Sequence, residues 1–486
     1  MNFQLSDLYA ISAEIFLLCG VSVILLLDLF LSETRRNVTY FLSLFVLVVT
    51  SVISLLVFDV EPRVVMNGLV VSGPLSATLK SILCGLIAIG LIYSKDYLQC
   101  RGLHRGEYYS LTLFAALGMM VMASSNHFLS LYLGLELLSL SLYAMVALRR
   151  DSGRSSEAAI KYFVLGAIAS GMLLYGMSMI YGATGNLNIE AIVSSINSGN
   201  SDLNLLRLGL VFIIVGVGFK LGAVPFHMWI PDVYQGSPTS VTLLIGTAPK
   251  IAAFAFIIRL LAESLGHPSL HQEWSQMLTV LAVASLLIGN VVAIAQTNFK
   301  RMLAYSTIAH MGFLLLGFLT GSMNGYSASL FYILTYVFMA LAGFGVILLL
   351  SKDGFEAEEL SDLGGLSRSN PWSAFLLMIV MFSMAGIPPT VGFWSKLFVI
   401  QSVIEFESVW LAVVAVMTSL IGAFYYLRVV KIMYFDSNES STTKIRYRAG
   451  LVVFSINGLM LLGMGLFPGW LLLLCQSLIQ DSVRVF

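Results

Sequence analysis

The sequence predicts an all-α, polytopic membrane fold of about fourteen transmembrane helices, with two inverted five-helix repeats and breaks in helices 7 and 12. Three observations carry that expectation. The 486 residues are 58% hydrophobic and only 11% charged, against about 25% charged in an ordinary soluble domain, and the mean hydropathy is +0.90. The apolar runs are ~20 residues long and do not alternate, which suits membrane helices and argues against a β-barrel. Finally, a short motif beside a glycine–proline break occurs twice, five helices apart, so the two copies run in opposite directions.

The expected spans run over 10–31, 38–58, 71–94, 108–124, 127–148, 158–182, 204–227, 238–262, 277–296, 301–320, 326–350, 371–400, 407–433 and 449–475. The loops between them are short. The largest, about 183–203, is polar and rich in Asn and Ser, and none holds an extramembrane domain. No Lys or Arg precedes the first run, so no cleavable signal peptide is expected. One set of loops carries Arg35, Arg36, Lys95, Arg101, Arg105, Arg149, Arg150, Arg154, Lys300, Arg301, Lys352, Arg368, Lys444, Arg446 and Arg448. The other set, with both termini, holds little beyond Arg63, Arg207 and Arg484. By the positive-inside rule both termini face outward and odd-numbered helices run inward. Net charge is zero, from 26 basic and 26 acidic residues, so nothing points to nucleic acid. Cys19, Cys84, Cys100 and Cys475 are scattered without metal or iron–sulfur spacing.

The break in the seventh span is Gly216–Tyr234, which holds Lys220, His227, Asp232 and two prolines. Its Val217-Gly-Phe-Lys-Leu221 is echoed in the twelfth span by Val391-Gly-Phe-Trp-Ser-Lys-Leu397, which follows Gly386-Ile-Pro-Pro389. This places the N-terminal helices at 1–106, the repeats at 107–264 (helices 4–8) and 276–435 (helices 9–13), and the last helix at 446–486.

Four ionisable residues fall deep in spans: Glu136, Lys220, Lys250 and Lys396. Each costs roughly 2.5–3.5 kcal/mol at mid-membrane, so such groups persist when they pair or carry function. A static ion pair, or a lysine snorkelling to a headgroup, is the plainer alternative for any one of them. Burial disfavours a charged ammonium and a nearby carboxylate favours it, so Glu136 beside Lys220 would form a tunable proton-holding pair. The depths order the lysines as a relay, with Lys220 toward the inside, Lys250 near the midplane and Lys396 toward the outside. Lifting one charge against ~200 mV costs roughly 4.6 kcal/mol. The chain has neither a phosphate-binding loop nor a dinucleotide fingerprint to supply that energy. Lys161, His227, Tyr305 and His310 are secondary candidates, for which an interhelical hydrogen bond is the competing role, and the repeat would set His310 where Glu136 stands. Lys80, Arg259, Glu14 and Asp28 suit anchoring, and Asp232 suits a helix N-cap.

Val224-Pro-Phe-His-Met-Trp-Ile-Pro-Asp-Val-Tyr-Gln-Gly-Ser-Pro-Thr239 resembles the signature of the antiporter-like membrane subunits of respiratory complex I, an NADH:quinone oxidoreductase. Asn298-Phe-Lys-Arg-Met-Leu-Ala-Tyr-Ser-Thr-Ile-Ala-His-Met-Gly312 is similar to a second block of that family. The resemblance covers essentially the whole chain. Lys396 in the twelfth span, and an end soon after the fourteenth helix, separate it from two sister branches. The resemblance implies a fourteen-helix proton-translocating module in which Glu136 modulates Lys220, Lys250 is central and Lys396 is the exit-side group. It implies a multi-pass place in a bacterial inner membrane, termini periplasmic, beside a neighbouring antiporter-like subunit and the small membrane subunits on the quinone side. NADH, FMN, iron–sulfur clusters and quinone would be used by other subunits, with no cofactor or metal bound by this chain. A subunit of a multisubunit sodium/proton antiporter is the alternative, and a purely structural scaffold is a third reading.

Overall fold

The computed structural model describes residues 5–199, 201–352, 354–436 and 448–483. Lys444, Arg446 and Arg484 lie outside them. The described chain is nearly all helix. α1 (Leu5–Ala10) and α2 (Ser12–Asp28) lead through a 3₁₀ turn to α3 (Asn37–Leu56). A small antiparallel hairpin, β1 (Arg63–Val65) with β2 (Val70–Ser72), precedes α4 (Pro74–Cys100). Then come α5 (Gly106–Ser124), α6 (Phe128–Val146), α7 (Gly153–Thr184) and the short α8 (Ile189–Asn197). α9 (Leu203–Leu221) and α10 (Trp229–Gly236) are parted by a break. So are α11 (Thr239–Gly246) and α12 (Ala248–Ile257), the latter continued by π-helical turns over Ile258–Ser264. α13 (Pro268–Ile294), α14 (Phe299–Phe318) and α15 (Met323–Leu350) follow, and the short α16 (Leu366–Ser369) lies in the next loop. α17 (Pro371–Ala385) and α18 (Val391–Glu405) form the last broken pair, before α19 (Val409–Phe435), α20 (Arg448–Leu466) and α21 (Gly469–Val483). Among the described residues ten helices are long and apolar enough to cross a membrane, α11–α12 with its π turns counting as one.

The breaks have a local cause. Gly222 closes α9 in the left-handed conformation (φ 77°, ψ 36°), and the N–H groups of Gly222 and Ala223 both donate to Gly218 O, at 2.9 and 2.8 Å. Pro225 then lacks the donor that a continuing helix needs. Gly386 does the same for α17 (φ 86°, ψ 38°), with Gly386 and Ile387 donating to Phe382 O at 3.0 and 2.9 Å before Pro388 and Pro389. Both breaks are thus closed by the same device, a left-handed glycine shortly before proline. Val217–Leu221 stands before its break and Val391–Leu397 after its own. A third break, at Thr247 (φ −120°, ψ −97°), precedes Pro249 and was not expected.

A second local arrangement also recurs. Phe128 donates to Leu187 O (2.9 Å) and Ile189 to Asn126 O (3.1 Å), tying the start of α6 to the loop after α7. Phe299 donates to Glu358 O (2.6 Å) and Leu360 to Thr297 O (2.9 Å), tying the start of α14 to the loop after α15; every position lies 171 residues later (128 to 299, 187 to 358). Helix contacts keep the same spacing. A Cβ on Gly118 would sit 2.7 Å from Gly134 O and Leu138 N, and one on Gly289 would sit 3.0 and 2.7 Å from Tyr305 O and Ala309 N. Only glycine permits backbones to approach so closely.

One end of the bundle collects the charged loops and is termed the basic face below. Glu356, in the loop after α15, accepts from the hydroxyls of Tyr97 (3.1 Å) and Thr239, and lies 3.5 Å from Lys300 Nζ, 3.9 Å from Arg149 and 4.0 Å from Arg101. Lys300 also donates to Ser237 O at 3.0 Å. This loop therefore holds together α4, the start of α11 and the start of α14. Burial raises the Glu356 carboxyl, but Lys300, then the Thr239 hydroxyl, Arg101 and Tyr97 outweigh it and hold it down to about 2.

Two predictions follow from the caps and this loop. Gly222→Ala meets the left-handed penalty of about 1–2 kcal/mol and drives a methyl into Ile230, so the thermal midpoint of the detergent-solubilised protein falls. Gly85→Ala, in open space on α4, leaves it unchanged or slightly higher. Because the folded carboxyl lies below its unfolded value, Glu356 contributes stability above pH ~4.5 that is lost as pH falls toward about 2. Glu356→Gln should therefore lower the midpoint at pH 7 and narrow the gap from wild type as the pH is lowered across that window.

Candidate functional site

The interior lysines gather around the helix breaks. Lys220 is the penultimate residue of α9, and its Nζ donates to Ser139 Oγ on α6 at 3.2 Å. Ser139 lies one turn from Glu136, on the same face of α6. Glu136 is close enough to act electrostatically on Lys220. Its Oε1 is buried without a hydrogen-bond partner among the described residues. A cavity of about 20 Å³ touches Ser139, Tyr143, Ser170 and Lys220, room for about one water. The lysine is thus held by a neutral hydroxyl, with its carboxylate nearby but unbonded.

Lys250 sits in the first turn of α12, after the Thr247 break, and is 1% exposed. Its Nζ donates to Leu221 O at 2.9 Å and lies 5.7 Å from the centre of the Trp229 ring. Lys396 sits in the second turn of α18. Its Nζ donates to Ala385 O at 2.9 Å and to Ser419 Oγ at 2.7 Å, and lies 5.4 Å from the centre of the Phe313 ring. The two lysines therefore do the same thing at two breaks. Each ammonium binds the carbonyl of the residue just before the left-handed glycine. Those carbonyls are unsatisfied helix-end acceptors at the negative end of the helix dipole, and a cation is favoured there. An aromatic face adds a further attraction for the charge. Lys220 is also the charged neighbour felt by Lys250.

The secondary candidates separate into interior and surface groups. His310 on α14 is buried and engaged at both ring nitrogens, with Tyr332 Oη at 2.7 Å from Nδ1 and Tyr426 Oη at 3.0 Å from Nε2. Tyr426 also meets Ser306, Tyr336 donates to Thr307 at 2.8 Å, and His310 is an electrostatic neighbour of Lys396. His227 is buried in the connection after α9, its Nδ1 without a partner among the described residues. Tyr305 is half-buried on α14, with the Arg301 guanidinium 6.0 Å from its ring centre. Lys161 lies on the basic face, paired with Glu157 (2.7 Å) and Asp232 (2.8 Å).

Several expectations are corrected here. Asp232 is not an N-cap; α10 begins at Trp229, and Asp232 pairs with Lys161 and with Arg301 (2.9 Å). Glu14 and Lys80 are not separate anchors but a buried ion pair joining α2 to α4, with Ser124 donating to the same carboxylate oxygen at 3.3 Å. Arg259 pairs with Glu263 at 2.6 Å in the π-helical turn, and Ser482 donates to Glu263 at 2.8 Å. Asp28 accepts from Thr39 at 2.9 Å. The sequence did not single out Ser139, Ser419, Tyr332 or Tyr426. Ser139 was findable as the residue three after Glu136. Ser419 carries no signal, because its role depends on α19 packing beside α18.

A family model described as "NADH:quinone oxidoreductase/Mrp antiporter, TM" matches residues 125–422. The chain is 54% identical over 484 residues to NADH-quinone oxidoreductase subunit N of Nitrosomonas europaea, covering 99% of this chain and 100% of that one. Among solved structures, a chain of respiratory complex I from Thermus thermophilus with bound aureothin is 33% identical at a TM-score of 0.80, covering 95% of this chain and 98% of that one. A chain of the Mrp complex from Dietzia sp. DQ12-45-1b shares the fold, at 20% identity and a TM-score of 0.82, over 99% of both chains. By the extent of these matches, the chain belongs to the NADH:quinone oxidoreductase/Mrp antiporter family of membrane proteins, within its group of NADH-quinone oxidoreductase N subunits.

Proposed function

We propose that this chain moves protons across a bacterial inner membrane through Glu136, Lys220, Lys250 and Lys396, driven by quinone reduction in other subunits of an NADH:quinone oxidoreductase. The observation that carries this reading is the treatment of the breaks: Lys250 and Lys396 each hold the last carbonyl of a half-helix, at 2.9 Å. A purely structural lysine has no need of a break, since an intact helix satisfies its own carbonyls. Lys220 would load a proton when Glu136 approaches and give it up toward Lys250 when the two separate. Lys396 would receive it through the His310, Tyr426 and Ser306 hydrogen bonds and release it on the face opposite the basic one. Lys161, His227 and Tyr305 would assist at the entry side. The chain would carry no redox centre of its own. NADH, FMN, iron–sulfur clusters and quinone would belong to other subunits.

The reading includes the architecture. The ten long helices together with α2, α5, α14 and α17–α18 make fourteen spans. Residues 107–264 and 276–435 would be inverted repeats, flanked by 1–106 and 446–486. Support comes from the 171-residue spacing of the backbone ties at Phe128 and Phe299, and of the glycine contacts at Gly118 and Gly289. In that register Glu136 matches Thr307 and His310 matches Ser139, three residues from the sequence expectation. Both termini would be periplasmic, and partners would be a neighbouring antiporter-like subunit and the small membrane subunits on the quinone side. A sodium/proton antiporter subunit is the competing reading, favoured by the fold of the Mrp chain alone. Co-purification with an NADH-oxidising assembly, with flavin and iron–sulfur absorbance, favours the first; their absence from the intact complex favours the second.

The relay is tested in assembled complex in membrane vesicles. Lys220→Ala and Glu136→Ala are expected to cut NADH-driven proton pumping by at least several-fold with the complex intact; an unchanged proton-to-electron ratio in both would remove the relay. Ser139→Ala takes away the hydroxyl that holds Lys220. A partial loss of about two- to tenfold, the ~0.5–1.5 kcal/mol of one ordinary hydrogen bond, with Ser139→Thr restoring it, is the expected result from the same pumping assay.

A further inference from the structure

A polar cleft on the basic face lies outside the relay. It opens between the α2–α3 connection and the α4–α5 loop, has a volume of about 440 Å³, and is lined by Arg36, Asn37, Gln99, His104 and Arg105, with Glu33 at its edge. The donors in it are poorly used. Arg36 Nη1 donates to His104 O at a long 3.3 Å, and Arg36 Nε is buried without a partner. His104 Nδ1 meets Tyr109 Oη at 2.9 Å, while its Nε2 is buried and unpartnered. Gln99 Nε2 donates to Asn37 Oδ1 at 3.2 Å. Arg105 is exposed, and its side chain makes no hydrogen bond or ion pair with a described residue. Of the carboxylates nearby, Glu33 is 90% exposed and 3.8 Å from Arg36, a contact worth little in water, and Asp28 lies against Gly106 and accepts from Thr39 at 2.9 Å. Two guanidinium groups and spare N–H groups around one cleft match the bidentate acceptor geometry of a phosphate.

What lies below the cleft selects among phosphates. Phe41, Phe45, Val48 and Val52 of α3 are all about half exposed or more. They recur every three or four residues, as one outward apolar stripe. The stripe starts one turn from Asn37, which lines the cleft. Lys95 Nζ lies over the Tyr40 and Phe41 rings, at 4.6 and 4.9 Å, where the stripe meets the charged level. Charge above and a continuous apolar face below is the shape of a phospholipid, not of a free ion. We propose that this cleft binds the phosphate headgroup of an anionic phospholipid, with one acyl chain lying along α3. Basic pockets at the headgroup level of membrane proteins are suited to this chemistry.

The test uses the intact complex, delipidated and reconstituted in nanodiscs of phosphatidylcholine containing a phosphatidylglycerol probe with a photoactivatable acyl chain. Irradiation should label peptides from α3 in the wild type. Labelling should fall by about fivefold for each of Arg36→Gln and Arg105→Gln, and stay unchanged for Arg63→Gln on the opposite face. The Arg105 guanidinium has no described partner, so Arg105→Gln removes no fold contact and keeps the test decisive if Arg36→Gln does not assemble. Inorganic phosphate at tens of millimolar should leave labelling in place. Equal labelling of α3 in Arg105→Gln and wild type would overturn the proposal. So would equal labelling by a phosphatidylcholine probe, displacement by free phosphate, or a cross-link from a photoreactive residue at position 99 to another subunit instead of to lipid.

Discussion

The constraint on which the rest depends is that a carbonyl inside a bilayer must find a donor within the protein. An unbroken helix meets this by itself. Breaking α9–α10 and α17–α18 exposes the acceptors at Leu221 and Ala385, and the ammonium groups of Lys250 and Lys396 satisfy them. The reverse also holds. A lysine this deep requires an acceptor, and the broken helix end provides one, with the helix dipole aligned in its favour. Break and charge stabilise each other, which explains why the two occur together in the sequence.

Much of this was legible from residue types alone. Composition and run length gave the membrane class. The four interior charges stood out because few polar residues surround them, and Gly-Ala-Val-Pro and Gly-Ile-Pro-Pro marked both breaks. The misread parts share one physical origin. The five letters shared around Lys220 and Lys396 lie before one break and after the other, a difference visible only from the left-handed backbone at Gly222 and Gly386. The break at Thr247 left little trace, because Pro249 sits in the first turn of α12, where proline is tolerated. Glu14 and Lys80 looked lone because their pairing joins residues 66 positions apart, which no periodicity reports.

The basic face works by different rules from the interior. Exposed pairs such as Lys161 with Glu157 contribute little each, but Glu356 is buried among Tyr97, Thr239 and Lys300 and joins helices distant in sequence. Asp232 similarly joins α7, α10 and α14 through Lys161 and Arg301. The short helix α10, which carries no long apolar run, is thereby fixed through Asp232 by charge and at its first residue by Trp229, whose indole N–H donates to Phe219 O at 3.1 Å.

The acceptor chosen by Lys250 belongs to Leu221, the residue after Lys220. A rotation of that last turn of α9 would therefore move the Lys220 ammonium and the Lys250 acceptor as one piece. The acceptor is main chain, so it survives every side-chain replacement at position 221. Mutational scanning is blind to this half of the contact, and only an ester in place of an amide, altering the backbone itself, would weigh it.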